Sequence, residues 1–173
     1  MKIWDTHTGA CVKELPSQGR QHVCFSPDGR WLGVAGTDVC LFETEAWRET
    51  RRFARDASFG PLAFSPDSCL LAFETGVGVL KLADPAAGRE FAQLADPHRL
   101  RADWLAFTQD GGQLIATGDD GPSIQVWNLR ALRQSLAPLQ LDWDLPSYPA
   151  APNLEDLPPL QLEVQPTVPA PGE

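Results

Sequence analysis

The strongest constraint on this chain is a short phrase that recurs three times. It reads Val23, Cys24, Phe25, Ser26, Pro27, Asp28, Gly29, then Leu62, Ala63, Phe64, Ser65, Pro66, Asp67, then Leu105, Ala106, Phe107, Thr108, Gln109, Asp110, Gly111, with its phenylalanines 39 and 43 residues apart. A period near forty marks an array of repeated units, none of which buries its faces alone. Each copy is an apolar run closed by turn-forming residues: Pro presets φ, Asp bonds its own backbone, and Gly tolerates positive φ. The phrase therefore reads as a strand entering a hairpin.

A second slot keeps the same rhythm. Trp4-Asp5, Phe42-Glu43, Ala83-Asp84 and Trp127-Asn128 lie 38, 41 and 44 residues apart, the last three after the apolar strands Val39–Leu41, Val79–Leu82 and Ile124–Val126. Between phrase and slot runs a middle strand, Trp31–Val34, Leu70–Phe73 and Leu114–Thr117, joined onward through Gly36-Thr37-Asp38, Thr75-Gly76 and Asp119-Asp120-Gly121. These junctions are tight hairpins, so each unit supplies at least three strands.

Composition separates the array from the C-terminal end of the chain. Of the 16 prolines, eight fall in the last 28 residues, and beyond Arg133 there is no Lys or Arg, so this end carries −6 of the net −9. The repeats are left at −3, with no basic surplus to meet a phosphate backbone, and nucleic acid is not an expected partner. No apolar run approaches the roughly 18 residues of a spanning helix, and Met1-Lys2-Ile3-Trp4 already reads as strand rather than leader. A soluble, cytoplasmic chain without a membrane partner is expected. Cys11, Cys24, Cys40 and Cys69 show no metal-type pairing and read as reduced packing residues in strand-like contexts.

The combination of a strand ending in Trp-Asp, a Phe-Ser-Pro-Asp-Gly phrase and a forty-residue period resembles the WD-repeat β-propellers. The resemblance covers residues 1–128 and implies an all-β partial propeller. Its strands would be c and d of one blade (Met1–Leu15), a full blade (Gln21–Ser26, Arg30–Ala35, Asp38–Glu43, Arg48–Ala54), a second (Pro61–Leu94), and a, b and c of a last one (Asp103–Asn128), thirteen in all. Closed propellers of this kind use about seven four-stranded blades. The expectation is therefore a C-terminal piece of a longer array, whose open terminal blades make it prone to self-association. Residues 129–139 read as a short helix, with Asn128 as N-cap, Leu129, Leu132 and Leu136 on one face and Pro138 at the end. Residues 140–173 read as an acidic Pro-rich tail, disordered from about Ser147. This ending resembles that of bacterial WD-repeat arrays, some of them attached to serine/threonine protein kinases.

In the family, a His, a strand-b Ser or Thr, a turn Asp and the Trp share a buried hydrogen-bond network. Position by position the resemblance implies His98, Thr117, Asp119 or Asp120, and Trp127, in a structural role. Pro16 and Arg55 fill the His slot of the other two units, which are expected to rely on apolar packing. The three histidines form no arrangement with an acid and a nucleophile, so no catalytic site is expected. Nor is a cofactor or metal: Asp119-Asp120-Gly121 lacks the ligand ladder of a calcium loop, Gly76-Val77-Gly78 lacks the third glycine and helix of a nucleotide loop, and the ligating residues of a propeller oxidoreductase are missing. The Pro146–Pro149 and Pro166–Pro169 segments have polyproline spacing without a basic flank and read as solvated linker. Function is expected to be non-enzymatic binding of a protein or peptide by a scaffold surface. Arg20, Gln21, Phe59, Arg99 and Arg101, on the loops between units, are the residues suited to anchor it. The alternative is a regulatory or substrate-recruiting end of a bacterial protein kinase.

Overall fold

The computed structural model describes residues 1–16, 20–56, 60–118 and 123–150. Four antiparallel sheets succeed one another along the chain. The first pairs β1 (Lys2–Trp4) with β2 (Cys11–Glu14), and the second is β3 (His22–Phe25), β4 (Trp31–Ala35), β5 (Val39–Glu43) and β6 (Arg48–Phe53). The third is β7 (Leu62–Phe64), β8 (Leu71–Gly76), β9 (Val79–Ala83) and β10 (Glu90–Ala95), and the fourth is β11 (Ala102–Phe107), β12 (Gln113–Gly118) and β13 (Ile124–Asn128). Every sheet is a meander in chain order. The strand inventory matches the expectation from the repeats, strand for strand, among the described residues.

The hairpin phrase folds alike in all three copies. The Ser26, Ser65 and Thr108 hydroxyls donate to Asp28, Asp67 and Asp110 at 2.5, 2.5 and 2.6 Å. Each hydroxyl oxygen accepts an amide from across the turn, that of Trp31, Leu70 or Gln113, at 2.9, 2.8 and 3.1 Å. Each carboxylate also takes the amide two residues on, from Arg30, Cys69 or Gly112, at 3.0 Å. The residue after each Asp has positive φ: Gly29 at 72°, Ser68 at 61° and Gly111 at 70°. Cys69 therefore lies in this turn and not in a strand as expected, because the second copy of the phrase carries Ser68-Cys69 where the first has Gly29-Arg30.

Strand alternation then assigns side chains to layers. Leu32, Val34 and Phe42 face the first sheet around Leu15, while Trp31, Val39, Leu41 and Phe53 face Leu62, Phe64, Leu71 and Phe73 of the third. Ala72, Leu80, Leu82 and Leu94 face Leu105, Leu114 and Ala116 of the fourth. The sheets thus stack face to face, with β7 touching both β3 and β11 along one side. Gly33 permits the close approach of second and third sheets, since a Cβ there would stand 2.8 Å from Leu62 Cδ1. Among the described residues nothing covers the two outer faces, with Trp4 and Val12 exposed at one end and Trp104, Ile124 and Val126 at the other.

After β13 the Asn128 side chain accepts the Ala131 amide and starts α1 (Leu129–Leu136), which passes into a 3-10 turn at Ala137–Leu139. The tail does not become solvated there. Arg133, 8% exposed, holds Asp142 by both oxygens and donates to the carbonyls of Trp143, Leu145 and Pro146. Trp143 is buried against Phe91 of β10, and Tyr148 packs on the same core. The disorder expected from about Ser147 is corrected for residues 147–150: Arg133 holds the chain up to Pro146, Tyr148 packs on the core, and the Pro149 carbonyl accepts Arg130 Nε at 3.0 Å. Residues 151–173, the rest of the segment read as disordered, lie outside the described residues. Among the described residues no helix is long and apolar enough to cross a membrane.

Replacing Ser65 with Ala leaves the buried Leu70 amide and the Asp67 carboxylate without their shared partner. It is expected to cost about 1–3 kcal/mol in chemical denaturation, whereas Thr108→Ser, which keeps the hydroxyl, is expected to cost well under that.

Candidate loop-end binding site

The turns joining β4 to β5 and β8 to β9, and the described parts of the loops joining one sheet to the next, meet at one end of the stack. Gln21 lies beside Gly36, and Asp56 donates its amide to the Thr75 carbonyl. The Arg99 backbone covers Gly78 so closely that a Cβ there would be 2.5 Å from Arg99 Cα. Gly78 adopts φ 70°, so both space and conformation demand glycine.

At the centre stands Glu74, fully buried near the end of β8. Its Oε1 accepts the Ala102 amide at 3.0 Å, and its Oε2, which has no hydrogen-bond partner among the described residues, lies 3.8 Å from Arg101 Nε. Arg55 reaches the same place from the preceding loop and donates Nη1 to the Gly36 carbonyl at 3.1 Å, while its buried Nε and Nη2 find no partner among the described residues. Gly60 closes over both, since a Cβ at that position would collide with the Arg55 guanidinium and the Glu74 carboxylate. Burial pushes the Glu74 carboxyl above its ordinary value, against the Ala102 amide and the two arginines. Burial likewise lowers Arg55, against the pull of Glu74. The result is a charge cluster with hydrogen-bonding capacity left over, held on tight turns.

The sequence-predicted residues divide between this end and elsewhere. Gln21, Arg99 and Arg101 belong to it, and Arg20 is exposed on the loop beside Gln21. Phe59 lies outside the described residues. The expected buried network is not assembled among the described residues. His98 is exposed and contributes its backbone amide to Asp96 Oδ1 at 3.2 Å, the Trp127 indole N–H is buried without a partner, and Thr117 stands in register between Trp104 and Ile124. Asp119 and Asp120 lie outside the described residues. The physical reason for the departure is Asp96: its Oδ1 takes the His98 amide and its Oδ2 the Leu100 amide at 2.7 Å, so the Asp96–Leu100 turn closes on a carboxylate and turns the imidazole outward. Arg55, which fills the His slot of a unit expected to rely on apolar packing, donates into the neighbouring turn.

Glu74 and Asp96 were not singled out from the sequence, although each left a signal. Glu74 is the one carboxylate following the apolar run Leu70–Phe73, and a charge is buried in such company only with partners. Asp96 precedes Pro97, a pairing that favours turn initiation.

A groove of about 420 Å³ opens beside the cluster, lined by Pro16, Gln21, Gly36, Asp38, Cys40 and Arg52 among others. Arg52 crosses its rim to Asp38 and Glu49 at 3.0 and 2.7 Å. Burial, with the Glu49 charge adding to it, pushes the Cys40 thiol up to about 11, so it stays protonated near neutrality and is a packing group rather than a nucleophile. Among the described residues no group of three or more His, Cys, Asp or Glu could hold a metal ion. The site offers turn carbonyls, guanidinium groups and a partly apolar groove, which together suit the recognition of a polypeptide.

No family model and no curated protein matches the chain.

The Glu74 pKa is raised above its ordinary 4.5, so the folded chain binds this proton more tightly than the unfolded chain. The corresponding stability is fully present below the unfolded value and is lost as pH rises through the folded one. Glu74→Gln keeps the shape and removes the charge. Its stability relative to wild type is expected to improve as pH rises from below 4.5 through the raised folded value and then to level off, measured by urea denaturation across a pH series.

Proposed function

We propose that the chain is part of a WD-repeat propeller serving as a non-enzymatic interaction scaffold, and that its loop end binds a polypeptide segment carrying a carboxylate. The observation that carries this reading is the convergence of Arg55, Arg99 and Arg101 on one set of rigid turns, with Arg20 and Gln21 beside them. Arginine presents a planar fork of donors that meets carboxylates in pairs and loses little freedom in doing so. The buried Glu74 holds part of that charge in place, because Arg101 lies near it and Arg55 approaches it from the other loop. The meander sheets, their face-to-face stacking and the side-by-side first strands support the propeller reading. In that architecture loop residues bind and sheets hold them still.

The test is selection of peptides from a random library on the full chain, followed by affinity measurement. Enriched peptides are expected to carry Asp or Glu. Arg99→Ala and Arg101→Ala are each expected to weaken them about tenfold or more, while Lys81→Ala, a surface change that removes the pair with Glu90, leaves affinity unchanged. Peptides without acidic residues, or affinity indifferent to both arginines, would remove the loop end from consideration.

A further inference from the structure

The fourth sheet stops one strand short of its neighbours. β6 covers β5 and β10 covers β9, whereas among the described residues nothing pairs with β13 beyond β12. Antiparallel partners alternate between hydrogen-bonded and open pairs. The Gly118 amide donates to the Ser123 carbonyl, so the register makes Ala116 with Gln125 and Leu114 with Trp127 the bonded pairs. Ile124 and Val126 consequently turn their own N–H and C=O groups away from β12. The same two residues are 70% and 55% exposed. An apolar strand with an open backbone edge is a template for pairing unless something covers it.

The chain leaves the described residues where a covering strand would begin. Arg130, two positions past the end of β13, donates Nε to the Pro149 carbonyl at 3.0 Å. Residues 151–159 then supply a lead of up to ~30 Å at ~3.3 Å per residue. Next comes Leu160, Gln161, Leu162, Glu163, Val164, Gln165, an unbroken alternation of apolar and polar residues with the period of a half-buried strand. Pro158 and Pro159 stand directly before it, and proline is accepted at a strand entrance and on an edge.

We propose that residues 160–165 form the fourth strand of the fourth sheet, antiparallel to β13, with Leu162 opposite Val126 and Val164 opposite Ile124. A segment arriving at the Asn128 end of β13 has the direction that antiparallel pairing requires. In this register the outward backbone groups of Ile124 and Val126 gain partners, and Leu160, Leu162 and Val164 fall on the face where those side chains are exposed. Gln161 falls opposite Trp127, whose buried indole N–H has no partner among the described residues. The sheet would then be completed by the chain's own acidic end, with α1 and the Arg133-held segment as the connection.

Amide hydrogen exchange by NMR on the full chain tests this, comparing wild type, Leu162→Pro and, outside the strand, Thr167→Pro. The Ile124 and Val126 amides are expected to exchange at least tenfold faster in Leu162→Pro than in the other two, with amides of β8 unchanged in all three, at a concentration where sedimentation shows a monomer. Equal exchange at Ile124 and Val126 in all three proteins would overturn the proposal. So would protection that grows with protein concentration and survives Leu162→Pro, which would assign the edge to a second copy of the chain.

Discussion

The hydroxyl–carboxylate clasp of the repeated phrase is the interaction on which the stack depends. Each clasp ties the end of a sheet's first strand to the start of its second, at Ser26–Trp31, Ser65–Leu70 and Thr108–Gln113. It thereby fixes the register of β3 on β4, β7 on β8 and β11 on β12. A slip of one residue would exchange the two faces of a strand. For β8 that would send Leu71 and Phe73 away from the second sheet and offer it Ala72, leaving a void between layers. Register is thus set locally by a few hydrogen bonds, and the large apolar burial between sheets is a consequence of it. Asp110 shows how firmly the geometry favours the charged carboxylate: the Thr108 hydroxyl, the Gly112 amide and Arg130 hold its pKa down to about 2.

The slot at the end of each third strand works by related chemistry with different outcomes. Asp5 Oδ1 accepts the amides of His7 and Thr8, and Asp84 Oδ1 those of Ala86 and Ala87, closing tight turns onto Gly9 and Gly88 at φ 68° and 74°. Asn128 accepts an amide at the same spacing, from Ala131, but it is succeeded by Leu129–Leu136 rather than a glycine turn, and the chain goes on as helix. Glu43 is one methylene too long to do the same. There Thr44 Oγ1 bonds the Gly29 carbonyl instead, and Trp47 takes the left-handed conformation at φ 49°. Ser68 is a parallel compromise: a non-glycine at φ 61°, offset by its hydroxyl accepting the Asp28 amide of the neighbouring turn at 3.1 Å. That bond links the second and third sheets at the end opposite the candidate site.

These turns explain what was legible. Strand number and order, the three-strand last sheet and the Asn128 cap were all written in residues whose roles are local: Ser-Pro-Asp, Trp-Asp, and leucines at helical spacing. Roles that depend on approach between distant segments were not. Asp96-Pro97 marks a turn, but nothing local announces that the Asp96 carboxylate will take the His98 and Leu100 amides while the imidazole stays outside. Arg133 has the composition of an ordinary helix surface, and only the returning chain at Asp142–Pro146 reveals it as the centre of a clasp. Residues 140–150 share proline and acid with the rest of the tail, so composition alone does not reveal that Trp143 and Tyr148 pack on the core.

Arg133 and Glu74 are both charges taken out of water, and they differ in how far their bonding capacity is filled. Burying an ion is costly unless its bonding capacity is filled. Arg133 meets that condition: Asp142 neutralises it, three carbonyls take its remaining N–H groups, and Trp143 and Tyr148 lie about its plane at 5.4 and 5.3 Å. Such a group is finished and serves the fold. Glu74, and the Nε and Nη2 atoms of the half-buried Arg55, lack that completion: among the described residues Glu74 Oε2 and both nitrogens find no hydrogen-bond partner. The second, third and fourth sheets all contribute to this pair through Gly36, Glu74 and Ala102, so it cannot relax without moving the turns that carry it. Unfilled capacity held this rigidly costs stability and gives nothing back to the fold.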